Sequence, residues 1–287
     1  MSELEHVLSV GAKLGEGPLW DPTDGVLYFV DIEGDCYHRY TPATGGHERV
    51  DVGLPIGAMG LRRVGGLVLA TRDGFAFWDP AARRLTPIAD PEAHKPHARF
   101  NDGAVDGQGR FWAGTMGDGD HSCLYRLDAD LSVHVMETGI GTSNGIGWSP
   151  DRRTMYYTDS PRQVIYAYDF DAESGGLSHR RAFVDSTGEW GFPDGLAVDS
   201  EGFVWSARWE GWKITRYDPQ GRVEREIRLP VERVTSCAFG GPNLDELYIT
   251  TAWTSLDDTG RAQQPLAGDL FRLRVGIKGQ PASRFAG

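Results

Sequence analysis

The chain has 287 residues, a formal net charge of −12, 38 glycines and 11% aromatic residues. That acidic balance argues against nucleic acid or an anionic membrane surface as a partner. No run of about 18 apolar residues is present to span a bilayer, so no membrane partner is expected.

The N-terminal stretch MSELEHVLSVGAKLGEG has neither a basic segment nor an apolar core, so no secretory signal is expected. Cys36, Cys123 and Cys237 are odd in number and widely spaced, which fits reduced thiols and a cytoplasmic location.

Strand and turn signals dominate from the first residues onward. GPLWDPTDGVLYFVD, from Gly17, reads as a strand, an Asp-Pro/Asp-Gly turn and a second strand. The same unit returns as AMGLRRVGGLVLAT from Ala58, GAVDGQGRFWAGT from Gly103 and GIGWSPDRRTMYYTD from Gly145. It recurs twice more, as GLAVDSEGFVWSAR from Gly195 and SCAFGGPNLDELYIT from Ser236. The starts are 41, 45, 42, 50 and 41 residues apart, the period of four-stranded propeller blades. Between them lie further strand pieces that end in turn signals, such as CYHRYTPATGG, FAFWDPAARRL and VIYAYDFDAESGGL. One blade cannot bury both of its faces, so six units predict an all-β, six-bladed propeller forming one domain over residues 1–287. GDLFRLRV (268–275) and HVLSV (6–10) are expected to close the ring by sharing the last blade.

GTSNG, from Gly141, matches the G-x-S-x-G pattern of a serine nucleophile elbow. That elbow needs a helix after the serine. Here IGWSPDRRTMYYTD supplies a turn and a strand, so Ser143 is not expected to be a nucleophile.

Aligning the six units brings a different set of residues into register. Immediately before each repeat stand Glu16, Gly57, Asp102, Asn144, Asp194 and Thr235. In a propeller these positions ring the central channel. Three carboxylates and an amide there would repel or go unsatisfied without a cation. All are oxygen donors, which suit a hard divalent ion better than a thiolate-seeking one. The competing reading is that Asp, Asn and Gly merely form turns at these points. Register across the repeats favours a metal in the channel. Arg99 could offer a fork of donors to a polar substrate or form a structural ion pair. His97 is taken as structural. The loop Gly117-Asp118-Gly119-Asp120 lacks the spacing and terminal Glu of an EF-hand.

LGEGPLWDP, RFNDGAVDGQGRFWAGTM, SNGIGWSPD, PDGLAVDSEGFVW and the TTAW…PLAGDLFRLRVGIKGQP tail resemble the family of senescence marker protein (regucalcin), gluconolactonase and related sugar-acid lactonases. The resemblance implies one divalent metal, Ca²⁺ first among Zn²⁺, Mn²⁺, Mg²⁺ and Fe²⁺, held by Glu16, Asn144 and Asp194. It implies Asp194 as general base and Arg99 with Asn101 as substrate contacts. Asp102 would then support the ring without binding the metal. Where some members carry a further substrate-binding Glu, this chain has Gly119, with Asp118 or Asp120 as stand-ins. The implied reaction is hydrolysis of a glucono-, xylono-, arabino- or galactonolactone to the sugar acid. A Ca²⁺-dependent phosphotriesterase or arylesterase, or a non-catalytic calcium-binding regulator, is the alternative. A ring closed on itself needs no partner chain, so a monomer or weak homo-oligomer is expected.

Overall fold

A computed structural model describes residues 4–117 and 119–287. Its strands form six sheets of four antiparallel strands each, the six blades expected from the repeats. The innermost strands are Gly15–Asp21, Ile56–Leu61, Arg99–Val105, Ser143–Trp148, Phe192–Val198 and Val234–Gly240. Every repeat begins inside one of them. The last blade pairs Val234–Gly240, Glu246–Thr251 and Leu270–Arg274 with the N-terminal strand Glu5–Leu8, so the two chain ends close the ring together.

The hydrophobic spacing explains this architecture. Side chains on alternate faces of each blade pack against the neighbouring blade, where they form separate aromatic clusters. Trp112, Ile146, Tyr157, Tyr168 and Phe170 fill the space between the third and fourth blades. In the third and fifth blades an Asp of the repeat turn anchors the hairpin from within. Asp199 accepts the backbone N–H groups of Glu201 and Phe203, and the indole N–H of buried Trp205 at 2.9 Å. The Arg216 guanidinium reaches the same carboxylate at 2.7 Å. Asp106 does the same work in the third blade with Arg110 and Trp112.

One element was not foreseen. After the last strand, residues 276–287 bond to every blade in turn. Gly279 donates to Leu244, Lys278 accepts from Ser200, and the Gln280 amide donates to Trp148 and Val198. Arg284 reaches Asp21, Phe285 donates to Leu61, and Ala286 donates to Gly109. Gln280 to Ser283 line a cavity of about 250 Å³ at one end of the channel, so this tail floors that end.

Candidate active site

Each inner strand carries a bulge at the ring position, where the pairing with the second strand slips. A bulge re-aims the side chain beside it. Here it turns three of the six ring residues into one cavity of about 420 Å³ at the end of the channel away from the tail. Glu16, Asn144 and Asp194 line it, together with Arg99 and Asn101. Leu14, Met116, Phe192 and Trp209 supply apolar wall, and Glu33, Thr142, Ser160 and Thr254 add polar rim.

The other three ring positions are used otherwise. Gly57 has no room for a side chain, because an added Cβ would lie 2.3 Å from the Phe100 carbonyl oxygen. The Thr235 hydroxyl is spent on the Gly15 carbonyl at 2.5 Å. Asp102 lines the cavity on the tail side, so it sits behind the other carboxylates.

Glu16, Asp102 and Asp194 are all buried, at 4%, 6% and 5% exposure. Burial raises the Glu16 carboxyl well above its usual range, and the charges of Asp194 and Asp102 push it further. Burial and then Asp102 do the same to Asp194. Asp102 itself is pushed up to about 7 by burial. Each therefore sits in the field of like charges in a low-dielectric channel, a position that a cation would relieve. The Arg99 charge offsets part of this at Glu16, and burial lowers the Arg99 pKa in turn.

The amides are held in fixed orientations. The Asn101 side-chain N–H donates to the Ser143 carbonyl at 2.8 Å and to Asn144 Oδ1 at 3.1 Å. Asn144 Nδ2 donates to Ser160 Oγ at 2.8 Å, and Ser160 Oγ donates to the Pro193 carbonyl at 2.7 Å. Ser160 thus ties Asn144 to the residue preceding Asp194, bridging the fourth and fifth blades. Gly145, next to Asn144, permits that approach, since a Cβ there would lie 2.7 Å from the Asp194 carbonyl oxygen. Arg99 Nη1 donates to Asn101 Oδ1 at 2.7 Å and to the Phe100 carbonyl, both neutral oxygens.

Ser143 stands on a strand followed by strand Thr154–Asp159, with no helix after it. Its hydroxyl is buried without a partner, facing Gly114 and the Tyr157 hydroxyl and not the cavity. Asp120 pairs with Arg162 at 3.3 Å and does not line the cavity. Asp118 lies outside the described residues. Ser160 carries no repeat signal because it lies in the turn just after strand Thr154–Asp159. Glu33 and Thr254, bonded to each other at 2.7 Å, sit on connections that carry no periodic signal.

Comparison with known proteins matches the same span. Residues 14–253 fit the family model for the SMP-30/Gluconolactonase/LRE-like region. The chain is 37% identical to a regucalcin of Xenopus laevis, with 99% of each chain covered. It is 39% identical to a pentonolactonase of Haloferax volcanii, with 97% of each covered. A solved structure of a calcium-binding regucalcin from Agrobacterium tumefaciens superposes with a TM-score of 0.94 at 29% identity, covering 98% of this chain and 96% of that one. A family match over residues 14–253, with relatives 37% and 39% identical over nearly their whole length, leaves one assignment: the chain belongs to the SMP-30/gluconolactonase/LRE-like family.

Proposed function

We propose that the cavity hydrolyses an aldonolactone to its sugar acid, with one divalent cation held by Glu16, Asn144 and Asp194. The observation that carries this reading is the convergence of buried, mutually repelling carboxylates with a fixed amide and an arginine on one small cavity. The donor set is all oxygen, which fits Ca²⁺ first and Mg²⁺ or Mn²⁺ next. The names of the pentonolactonase and regucalcin relatives support the reading from a second direction. A volume of about 420 Å³ falls at the lower end of small-molecule sites (~300–1,000 Å³), the size for a single sugar ring and not a polymer.

A bound divalent ion would supply Lewis-acid polarisation of the lactone carbonyl. The chain's own residues supply the rest. Trp209 and Phe192 offer apolar wall to the carbon face of the sugar. Arg99 donates to ring hydroxyls, Asn101 Oδ1 accepts from one, and together they fix which face of the carbonyl meets water. Asp194 accepts a proton from the attacking water as the new C–O bond forms. It returns that proton to the ring oxygen as the old C–O bond breaks. Burial keeps Asp194 basic, whereas a cation in contact with it lowers that basicity; the balance suits a reactive ester. No covalent intermediate is required, so the buried Ser143 needs no role.

The reading is tested by turnover of five- and six-membered sugar lactones, set beside aryl esters and phosphotriesters. Lactone turnover that drops at least 100-fold in kcat for Asp194→Asn, and rises in KM for Arg99→Gln, is expected. Preference for a phosphotriester would replace the substrate class. Cation binding without turnover of any ester would make the protein a metal-binding regulator.

A further inference from the structure

A second cluster of ligand-type side chains lies on the first blade, outside the channel. Its strands are Gly15–Asp21, Val26–Asp31, Cys36–Thr41 and Gly46–Asp51. Asp31 pairs directly with Cys36, and Phe29 with His38. Paired residues share a face, and so do residues two apart on one strand. The register alone therefore brings Asp31, Cys36 and His38 together. All three are buried, at 3%, 0% and 2% exposure. One donor atom from each lies within 4.8 Å of the others.

We propose that Asp31, Cys36 and His38 form a binding site for a borderline divalent metal of the zinc class, separate from the hard-cation site of the channel. The donors are a sulfur, an imidazole nitrogen and a carboxylate oxygen, a set that selects Zn²⁺-like ions over Ca²⁺. Metal–sulfur and metal–nitrogen bonds of about 2.3 and 2.0–2.1 Å at a tetrahedral angle place S and N about 3.5 Å apart. Cys36 Sγ and His38 Nε2 are 3.7 Å apart.

The surroundings fit as well. His38 Nδ1 is hydrogen-bonded to His47 Nε2 at 2.9 Å, so the free ring nitrogen is the one that faces Cys36. Metal-bound histidines are held by such a partner on the far nitrogen. The ring also stacks on Phe29 at 4.8 Å, which fixes its plane. Among the described residues Asp31 Oδ1 accepts from Leu14 and Gly34, whereas Oδ2 accepts from Lys13 alone, which leaves Oδ2 a lone pair for a metal. Arg49, on the neighbouring strand, bonds to Asp51 and to the Gly34 carbonyl. Three protein ligands leave a fourth position for water. Binding would replace the Cys36 S–H bond with a metal–thiolate bond, and the proton would leave to solvent. Phe29 belongs to the aromatic cluster with Tyr248 and Leu270 of the last blade, so the metal would stiffen the blade beside the ring's closing seam.

The alternative is a dry hydrogen-bonded chain, Cys36 to His38 to His47, with no metal. Co²⁺ distinguishes the two. It is added to reduced, metal-stripped, full-length protein while absorption is recorded. The proposal expects a thiolate-to-cobalt charge-transfer band with tetrahedral d–d bands, saturating at one equivalent and bleached by Zn²⁺. The band should survive Glu16→Gln, Cys123→Ser and Cys237→Ala, and vanish in Cys36→Ser. His38→Gln should weaken Co²⁺ binding about ten-fold or more. Wild-type protein with no such band at saturating Co²⁺ overturns the proposal, whether or not any variant folds. A band lost in Cys123→Ser or Cys237→Ala and kept in Cys36→Ser overturns it equally.

Discussion

Replacing Asp102 by Asn tests the electrostatics of the channel without touching the three residues assigned to the cation. The amide keeps the shape and can still accept the Gly103 N–H, which lies 2.7 Å from Oδ1 in the wild type. Only the charge is lost. Burial raises this carboxyl from 3.8 to about 7. The folded state therefore holds the proton more tightly than the unfolded chain does. Its contribution is fully present below pH 3.8 and is lost as pH rises through about 7. At 1.36 kcal/mol per pH unit, the metal-free protein gives up as much as about 4 kcal/mol by pH 8. Asp102→Asn should recover most of that, on the order of 8 °C in Tm for a domain this large. The assay is thermal unfolding between pH 4 and 8, in chelator and in excess Ca²⁺. In chelator the variant should be the more stable protein at pH 8, and the difference should vanish by pH 4. In Ca²⁺ the gain should shrink, because the deleted charge also attracts the cation. A variant no more stable than wild type in chelator at pH 8, or a gain equal with and without Ca²⁺, would refute the reasoning.

Other substitutions probe separate parts of the structure. Ser160→Ala removes the acceptor that orients the Asn144 amide and should weaken Ca²⁺ binding roughly 10- to 100-fold by calorimetric titration, with unfolding little changed; unchanged affinity would remove Ser160 from the site. Asp199→Ala leaves the buried Trp205 indole without its acceptor and leaves Arg216 to Glu201 and Glu224 alone, and should cost about 1–3 kcal/mol in urea unfolding. A loss under about 1 kcal/mol there would mean that the hairpin anchor is not energetically significant. Phe285→Ala empties a fully buried tail position packed against Phe77 and should cost about 3–5 kcal/mol. A smaller change would show that the tail rests on the ring without bracing it.

The blades were legible because each reuses one local device: a short turn, rich in Gly, Pro or Asp, joining a strand at the channel to a strand in the core. Asp106 and Asp199 look like ordinary turn residues in the sequence, whereas their buried bonds to Arg and Trp lock the hairpins of the third and fifth blades. The ring of polar residues was legible for the same reason, since a closed repeat turns register into proximity. What register could not say is which ring residues enter the cavity. Gly57 is excluded by the approach of a neighbouring backbone, and Asp102 is displaced toward the tail. Ser160, Glu33 and Thr254 lie at strand ends and connections, where no period marks them. The tail, residues 276–287, has no strand pattern at all; it is held by backbone bonds to four blades and by the Gln280 and Arg284 side chains to the other two, partners that only the assembled ring brings together.

The most direct measurement is lactone hydrolysis, followed by the fall in pH, in protein stripped of divalent ions and then given Ca²⁺, Mg²⁺, Mn²⁺ or Zn²⁺ in turn. A channel built on Glu16, Asn144 and Asp194 should be inactive when stripped, recover with a hard cation, and stay inactive in Asp194→Asn whatever ion is added. Full turnover by the stripped protein, or restored turnover in the Asp194 variant, would contradict the assignment of both the cation and the base.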